Sequence, residues 1–487
     1  MKRNYTLILA LFMAYTGFGQ SPVKSSFTLE EAIQYALENN VRSKNARLDQ
    51  QIANAKVKET IGIGLPQISA DAGVINNTEL PRFFMKYDPD GLFSDPNQPP
   101  PPGVSKGDVI AMNNFFQLPR SANASLTLNQ LIFNGSYLVG LQAANTFKDL
   151  SVKTTERTQE DIIQQVTKAY YAVLINRERT KIFESNIGRV DSLLRTTRAM
   201  HEHGFAESID VDRVRVTLNN LRTERVRFLN LNELGLQLLK FQMNYPAGQP
   251  IEVLGDIQEI QVDTTMDQYS RNGWDYSQRP DYKVLQVSQR LQELNLKNQY
   301  ATVVPVISAY GNLGYSTQSP TISGLFSTNS TINDENGIGP DKWYRFSSIG
   351  ISLSVPIFTG LSRTARIQQE KLKLIQIDND FVNLRNAIDL EIKQSSLVFE
   401  NALNTLASQR ENQELASNVA KVTKTKYEHG VGSSLEVTLA EDDLRQAQTN
   451  YYGALFDAMV AKVDLDKAFG RLLPSTYEQN SLIKSGK

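Results

Sequence analysis

The sequence predicts a mixed α and β fold built from two internal repeats, each roughly half of the 487-residue chain. Three observations lead to this prediction. Short strings recur in the same order in both halves, as expected for a repeat. Each half holds a segment of 67 residues with almost no glycine or proline, which favours a long helix. Each half also holds two stretches of alternating apolar and polar residues, which is typical of strands with one apolar face.

The repeat is based on four pairs of matching strings. These pairs are PQISA with PVISA, LTLNQLIFNG with ISLSVPIFTG, the triplet Glu-His-Gly with its second copy, and SIDV with SLEV. The triplet lies at 202–204 and at 428–430, an offset of 226 residues. A histidine beside a carboxylate can bind a metal or transfer a proton, but no cluster with metal-ligand spacing accompanies these histidines. We therefore interpret both copies as equivalent helix–helix corners, in which glycine supplies the positive φ.

The N-terminus resembles a signal peptide. Lys2 and Arg3 precede an apolar run, and small residues follow it before Gln20. The run is too short to span a bilayer, so we favour a cleaved signal over a short membrane anchor. The expected segments are a signal peptide at 1–19, a first repeat over 20–246, a linker over 247–280, a second repeat over 281–470 and a C-terminal tail over 471–487.

Composition predicts three helices in each repeat. They cover 41–62, 136–202 and 208–243 in the first repeat, and 281–302, 362–428 and 434–469 in the second. A helix of 67 residues is about 100 Å long at 1.5 Å per residue, which exceeds a compact domain. The two shorter helices, stacked end to end, nearly match that length. The sequence therefore predicts that each repeat forms a long helical hairpin with the Glu-His-Gly corner at one end.

Four segments alternate between apolar and polar residues, at 68–74, 122–128, 307–315 and 349–355. One apolar and one polar face are typical of an outer-membrane barrel. Four strands cannot close a barrel, which needs about eight, and open edges are not tolerated in lipid. We therefore expect other copies of the chain to complete the barrel. The alternative is a soluble β sandwich, which would need a second apolar surface to pack against.

Composition and motifs argue against several classes of function. The 51 basic and 52 acidic residues nearly balance, whereas a nucleic-acid-binding protein shows a basic excess. The chain has no cysteine, which excludes disulfides, thiolate metal sites and cysteine nucleophiles. It also has no serine elbow, phosphate loop or HExxH motif. The sequence thus predicts a protein that is not an enzyme and needs no cofactor.

Several motifs together resemble the TolC family of outer-membrane efflux channels over nearly the whole mature chain. They are FTLEEAIQYALENN at 27–40, the strand exits LIFNG and PIFTG, and GVGSSLEVTLAEDDLRQAQTNYYGAL at 430–455. The resemblance implies a homotrimer with a 12-stranded outer-membrane β-barrel, four strands per chain, continued by a periplasmic α-helical barrel. It also implies a periplasmic adaptor, an inner-membrane RND or ABC transporter and passive conduction. Drugs, metal ions and secreted proteins are all cargoes of such channels.

The resemblance points to two kinds of site. Related channels carry an acidic ring after the second tip, and Glu436 matches that position, with Asp210 as its counterpart in the first repeat. Glu436 can instead belong to a capping box with Ser433 as N-cap. The run 441–443 is expected to be a solvated helix face. Adaptor docking is expected at the residues of the two tips, Gly204, Phe205, Ala206, Gly430, Val431, Gly432 and Ser433.

Two other classes of protein remain open at this point. A periplasmic adaptor or coiled-coil scaffold also uses long helical hairpins, although it would normally carry β modules around a single hairpin. A secreted enzyme on a helical stalk would need a constellation of catalytic residues, and the sequence offers none. Location in the outer membrane as a stable oligomer is the property that separates a channel from both alternatives.

Overall fold

The computed structural model describes residues 25–91, 102–114, 116–257, 269, 273–326 and 343–473. The predicted signal peptide and most of the predicted tail lie outside the described residues. Contacts divide the chain into two compact units. A helical unit contains the described parts of 1–54, 146–292 and 372–487, and a sheet unit contains those of 55–145 and 293–371.

The six helices with predicted bounds agree with the structure to within one residue at each end, and a seventh, α1, lies within the motif at 27–40. In chain order they are α1 (Leu29–Asn39), α2 (Val41–Ile63), α3 (Gly135–Glu202), α4 (Ser208–Met243), α5 (Pro280–Ala301), α6 (Ser362–Glu428) and α7 (Ser434–Ala468). Helix α1 begins with a capping box, because the Glu31 N–H donates to Thr28 Oγ1 and the Thr28 N–H donates to the Glu31 carboxylate. The absence of proline inside α3 and α6 lets each continue for more than 65 residues.

The strands are β1 (Ser26–Phe27), β2 (Gln67–Asn76), β3 (Phe83–Lys86), β4 (Val109–Met112), β5 (Arg120–Phe133), β6 (Glu252–Val253), β7 (Val306–Ser319) and β8 (Tyr344–Ser354). The four predicted strands form one antiparallel sheet in the order β2-β5-β7-β8. Two small sheets were not predicted, the parallel pair β1-β6 and the antiparallel ribbon β3-β4.

The register gives the main sheet one apolar and one polar face. Leu126 of β5 lies opposite Ala70 on one side and Leu313 on the other. The preceding residue, Ser125, points to the other face and lies opposite Asp71 and Gly314. The apolar face is open to solvent in the single chain, where Leu126 is 52% exposed and Ile351 is 72% exposed. The predicted alternation is therefore confirmed, and it leaves a large apolar surface uncovered.

The helical unit has several apolar cores along its helices. The largest combines α1, α3, α4 and α7 with residues of the predicted linker, including Val253 and Ile257. A second is rich in aromatic side chains and includes Tyr282, Phe399 and Phe469. A third lies near the α3–α4 and α6–α7 corners, with Phe183 stacked on Phe228 at 4.9 Å between ring centres. The described part of the linker thus contributes to the core.

Two glycines of β7 differ in the space around them. A Cβ atom on Gly314 would lie 2.6 Å from the Ala124 carbonyl oxygen and 2.7 Å from the Phe346 ring, whereas a Cβ on Gly311 would meet nothing within 4 Å. We expect Gly314→Ala to force the strands apart and to destabilise the sheet by about 1–3 kcal/mol. Gly311→Ala should be tolerated. Thermal unfolding of both variants in detergent, followed by circular dichroism, measures the difference, and equal melting temperatures would contradict the register described here.

Candidate functional site

The two corners that follow α3 and α6 have the same backbone geometry. Gly204 and Gly430 have φ angles of +79° and +76°. In each corner the glycine N–H bonds to the carbonyl three residues earlier, at 3.0 Å. The next N–H, that of Phe205 or Val431, bonds to the carbonyl five residues earlier, at 2.8 and 3.0 Å. This pair of bonds is a Schellman motif, so glycine is present because the turn needs a left-handed residue.

Each corner presents one apolar side chain to solvent. Phe205 is 83% exposed and Val431 is 77% exposed. Ala206 lies beside Phe205, and its carbonyl oxygen is 2.9 Å from His201 Nδ1, which fixes the first corner. The described residues contain no group of acidic or histidine side chains able to hold a metal ion. The His201 imidazole therefore contributes a hydrogen bond to the first corner, and it lies two residues before the histidine of the Glu-His-Gly triplet.

The second corner continues into a capped helix. Ser433 Oγ accepts the Glu436 N–H at 3.2 Å, which confirms Ser433 as the N-cap of α7. Among the described residues, no partner contacts the Glu436 carboxylate, which is exposed. The capping box is therefore half formed, because the serine caps the helix through the backbone of Glu436. Gly432 lies close to the end of α6, where an added Cβ would be 3.1 Å from the Tyr427 nitrogen.

Asp210, the predicted counterpart of Glu436, is engaged locally. Its carboxylate accepts the Glu207 N–H at 3.3 Å and lies 3.6 Å from Arg213 Nη1. Both contacts are local to the start of α4, and a carboxylate in the first turn also interacts favourably with the helix dipole. The structure thus places Asp210 as part of a helix cap, whereas the Glu436 carboxylate remains available for other interactions.

Comparison with known proteins adds to this geometry. The sequence matches the outer membrane efflux protein family over residues 32–231 and 277–471. The chain belongs to this family. The outer membrane protein TolC of Vibrio cholerae is 20% identical over 368 residues, with 74% of this chain and 80% of TolC covered.

Two further comparisons point the same way. The antibiotic efflux pump outer membrane protein ArpC of Pseudomonas putida is 23% identical over 335 residues, with 68% of this chain and 64% of ArpC covered. The CmeC outer membrane channel of Campylobacter jejuni has the same fold, with a TM-score of 0.66, 16% identity, and 94% of this chain and 88% of CmeC covered. Family membership confirms the predicted resemblance and assigns an outer-membrane efflux protein.

In the part of the chain that the structure describes, no helix combines the length and the hydropathy needed to cross a bilayer.

Sequence reasoning was wrong about one acidic residue near the corners. Glu441 was expected on a solvated face, but it is 6% exposed and its carboxylate lies 2.9 Å from Arg189 Nε of α3. Eight residues further along α3, Thr197 Oγ1 and Tyr427 OH are 2.9 Å apart and buried. These contacts join the first hairpin to the second near the corners. A sequence pattern cannot reveal them, because their partners lie more than 200 residues apart.

The contact between Glu441 and Arg189 provides a test of how strongly the hairpins are joined. We expect Glu441→Ala to lower the free energy of unfolding by about 1–3 kcal/mol, because Arg189 loses its charged acceptor. The matched control is Asp442→Ala, since Asp442 is more exposed and pairs within its own helix, with Arg445 at 3.5 Å. Its cost should stay below about 1 kcal/mol. Denaturant unfolding measures both, and equal costs would refute a special role for Glu441.

Proposed function

We propose that three copies of this chain form the outer-membrane channel of a tripartite efflux or type I secretion system. The observation that carries the proposal is the four-stranded sheet with one apolar and one polar face. Among the described strands, β2 and β8 each pair on one side only. Three copies would join β8 of one chain to β2 of the next and close a 12-stranded barrel. The apolar face would then meet lipid and the polar face would line the lumen.

The helical unit supports assembly independently. Helix α6 carries a row of exposed apolar residues along its length, and α4 carries a second such row. They are Leu372, Ile375, Val382, Leu390, Leu397, Leu415 and Val422 on α6, and Val216, Leu234, Leu238 and Phe241 on α4. Spacings of seven residues recur among them, as in helices that pack on a neighbour. We propose that these surfaces are covered by the adjacent copies in a periplasmic helical barrel, and that the chain comprises two repeats, over 20–246 and 281–470.

The mechanism proposed here involves no chemistry on the cargo. The channel would passively conduct substrates that an inner-membrane RND or ABC transporter delivers through a periplasmic adaptor. The competing hypothesis, an adaptor or scaffold without a channel, gives no reason for a sheet whose apolar face is open in the single chain. The exposed Glu436 would contribute an acidic ring at the constriction, and Asp210 would contribute mainly as a cap.

Conductance across a planar bilayer tests the channel and its constriction together. We expect the purified protein to have the mass of a trimer in detergent and to conduct ions. Glu436→Ala should raise the conductance, because it removes a ring of side chains and charge from the narrowest part. The control is Ser433→Ala, which removes the cap, should cost about 1 kcal/mol of stability and should leave the conductance unchanged. A folded monomer would refute the channel. A trimer whose conductance is the same in the wild type and in Glu436→Ala would refute the constriction alone.

Cross-linking in cells tests the corners as the docking surface for the adaptor. A cysteine placed at Ala206 or Ser433 leaves the turn glycines intact, and the chain has no native cysteine to interfere. We expect either variant to cross-link to the adaptor, because the exposed Phe205 and Val431 would lie in that interface. A cysteine at Ser323, in the connection between β7 and β8, should not cross-link. Corner cysteines that never reach the adaptor in an assembled trimer would overturn this assignment.

A further inference from the structure

A buried glutamate lies in a cluster of charged residues in the helical unit. Glu160 of α3 is 3% exposed, and its Oε1 atom has no hydrogen-bond partner among the described atoms. An ionised carboxylate in such surroundings is costly unless a cation or hydrogen-bond donor contacts it. The neighbouring elements are the segment around Arg279 and Asp281, where α5 begins, and the last turn of α7 with Lys467. None of these residues belongs to the corners or to the main sheet.

Two cations, Arg279 and Lys467, act electrostatically on Glu160, and both are bound to other groups. The Arg279 guanidinium contacts the carboxylates of Asp281 and Glu391, each at 2.9 Å, and donates to the Lys467 carbonyl at 3.0 Å. The Lys467 ammonium donates to Asp161 at 2.7 Å and to Gln164 at 2.9 Å. Among the described contacts, neither cation forms an ion pair or a hydrogen bond with Glu160. The observed arrangement therefore suits a neutral Glu160 carboxyl group.

The charged groups around Glu160 lie on α3, α6, α7 and the start of α5. Arg157, three residues before Glu160 on α3, acts on Asp281. Asp161 lies next to Glu160 on α3, and Arg279 and Asp281 face it from the start of α5. Lys467 faces it from α7, and Glu391 of α6 acts through Arg279. Two further ion pairs lie nearby. Arg42 of α2 contacts Asp161 of α3 at 3.4 Å, and Lys168 of α3 contacts Asp464 of α7 at 2.5 Å.

Burial is the main influence on the acidity of this residue. Removal from water raises the pKa of Glu160 to about 7, while Arg279 and Lys467 lower the pKa and Asp281 and Asp161 raise it. Desolvation prevails because the two cations are shared with other carboxylates. A carboxyl group with such a pKa changes its charge near neutral pH, where an ordinary glutamate is already ionised.

We propose that Glu160 is a proton-binding residue that controls how firmly the start of α5 is held against α3 and α7. With the proton bound, Arg279 keeps its bonds to Asp281, Glu391 and the Lys467 carbonyl. When the proton leaves to solvent, the new carboxylate competes for Arg279 or Lys467, and one of them must give up a present partner. The start of α5 is then held less firmly. All of the residues involved belong to the helical unit, so this proposal does not depend on whether the chain conducts ions.

The sign of the pH effect follows from the direction of the shift. A group whose pKa is higher in the folded than in the unfolded protein binds its proton more tightly when folded. Its stabilising contribution is complete below the ordinary glutamate pKa and is lost as the pH rises through about 7. The wild-type protein should therefore lose more stability between about pH 5 and pH 8 than a variant with a neutral residue at position 160.

The first test compares melting temperatures of the assembled protein in detergent at several pH values. Between pH 5 and pH 8 the wild type should lose about 2–4 °C more than Glu160→Gln. The matched control is Glu156→Gln, one turn earlier on α3, because Glu156 is also buried but pairs with Lys153 at 2.7 Å. The control should keep the wild-type pH dependence. Parallel curves for the wild type and Glu160→Gln would overturn the proposal.

The second test observes the proton and the local structure directly. Infrared difference spectra of the wild type should show a protonated carboxyl band at pH 6 that fades by pH 8 and is missing from Glu160→Gln. Hydrogen exchange, corrected for its intrinsic pH dependence, should show faster exchange at pH 8 in residues 278–285 of the wild type alone. A wild-type spectrum without this band, or exchange that changes equally in both proteins, would refute a proton-controlled junction.

Discussion

A strand in a lipid bilayer has to pair both of its edges, because the hydrocarbon core offers no water to an open N–H or C=O group. The main sheet of this chain cannot satisfy that requirement alone, since β2 and β8 each pair on one side. The apolar face imposes a second requirement, because it needs lipid or protein to cover it. Assembly of several copies would satisfy both requirements, and this is the physical reason for our proposal that the chain is stable only as an oligomer.

Local hydrogen bonds, by contrast, determine where the helices end. The Schellman pattern found at Gly204 and Gly430 recurs after α4 and α7, where Asn244 and Gly470 take φ angles of +54° and +70°. The members of each pair are 226 positions apart, the same offset as the Glu-His-Gly triplets. Such turns need only one residue that tolerates a left-handed conformation. The hairpin lengths are therefore encoded by a few local positions and do not require distant contacts.

The difference between local hydrogen bonds and contacts between distant parts of the chain explains how much the sequence could predict. Helix boundaries and the strand alternation were readable because they depend on glycine, proline and periods of 3.6 and two residues. The burial of Glu441 and the pairing of Thr197 with Tyr427 were not, because which helix face meets another hairpin is a tertiary property. The strands β1 and β6 are two residues long, too short for any period to show. At the candidate site, sequence reasoning located the corners and the serine cap but not the contacts beneath them.

The structure separates two roles that the sequence combined in one residue. Ser433 accepts the Glu436 N–H, so the start of α7 is capped by the serine side chain and the glutamate backbone. The first repeat differs, because there the Asp210 carboxylate itself accepts the Glu207 N–H. Capping therefore accounts for the carboxylate at 210 but leaves the one at 436 without a local purpose beyond the helix dipole. The Glu436 carboxylate is exposed beside a corner and has no partner among the described residues, and we therefore propose that it acts in an interaction made in the assembly.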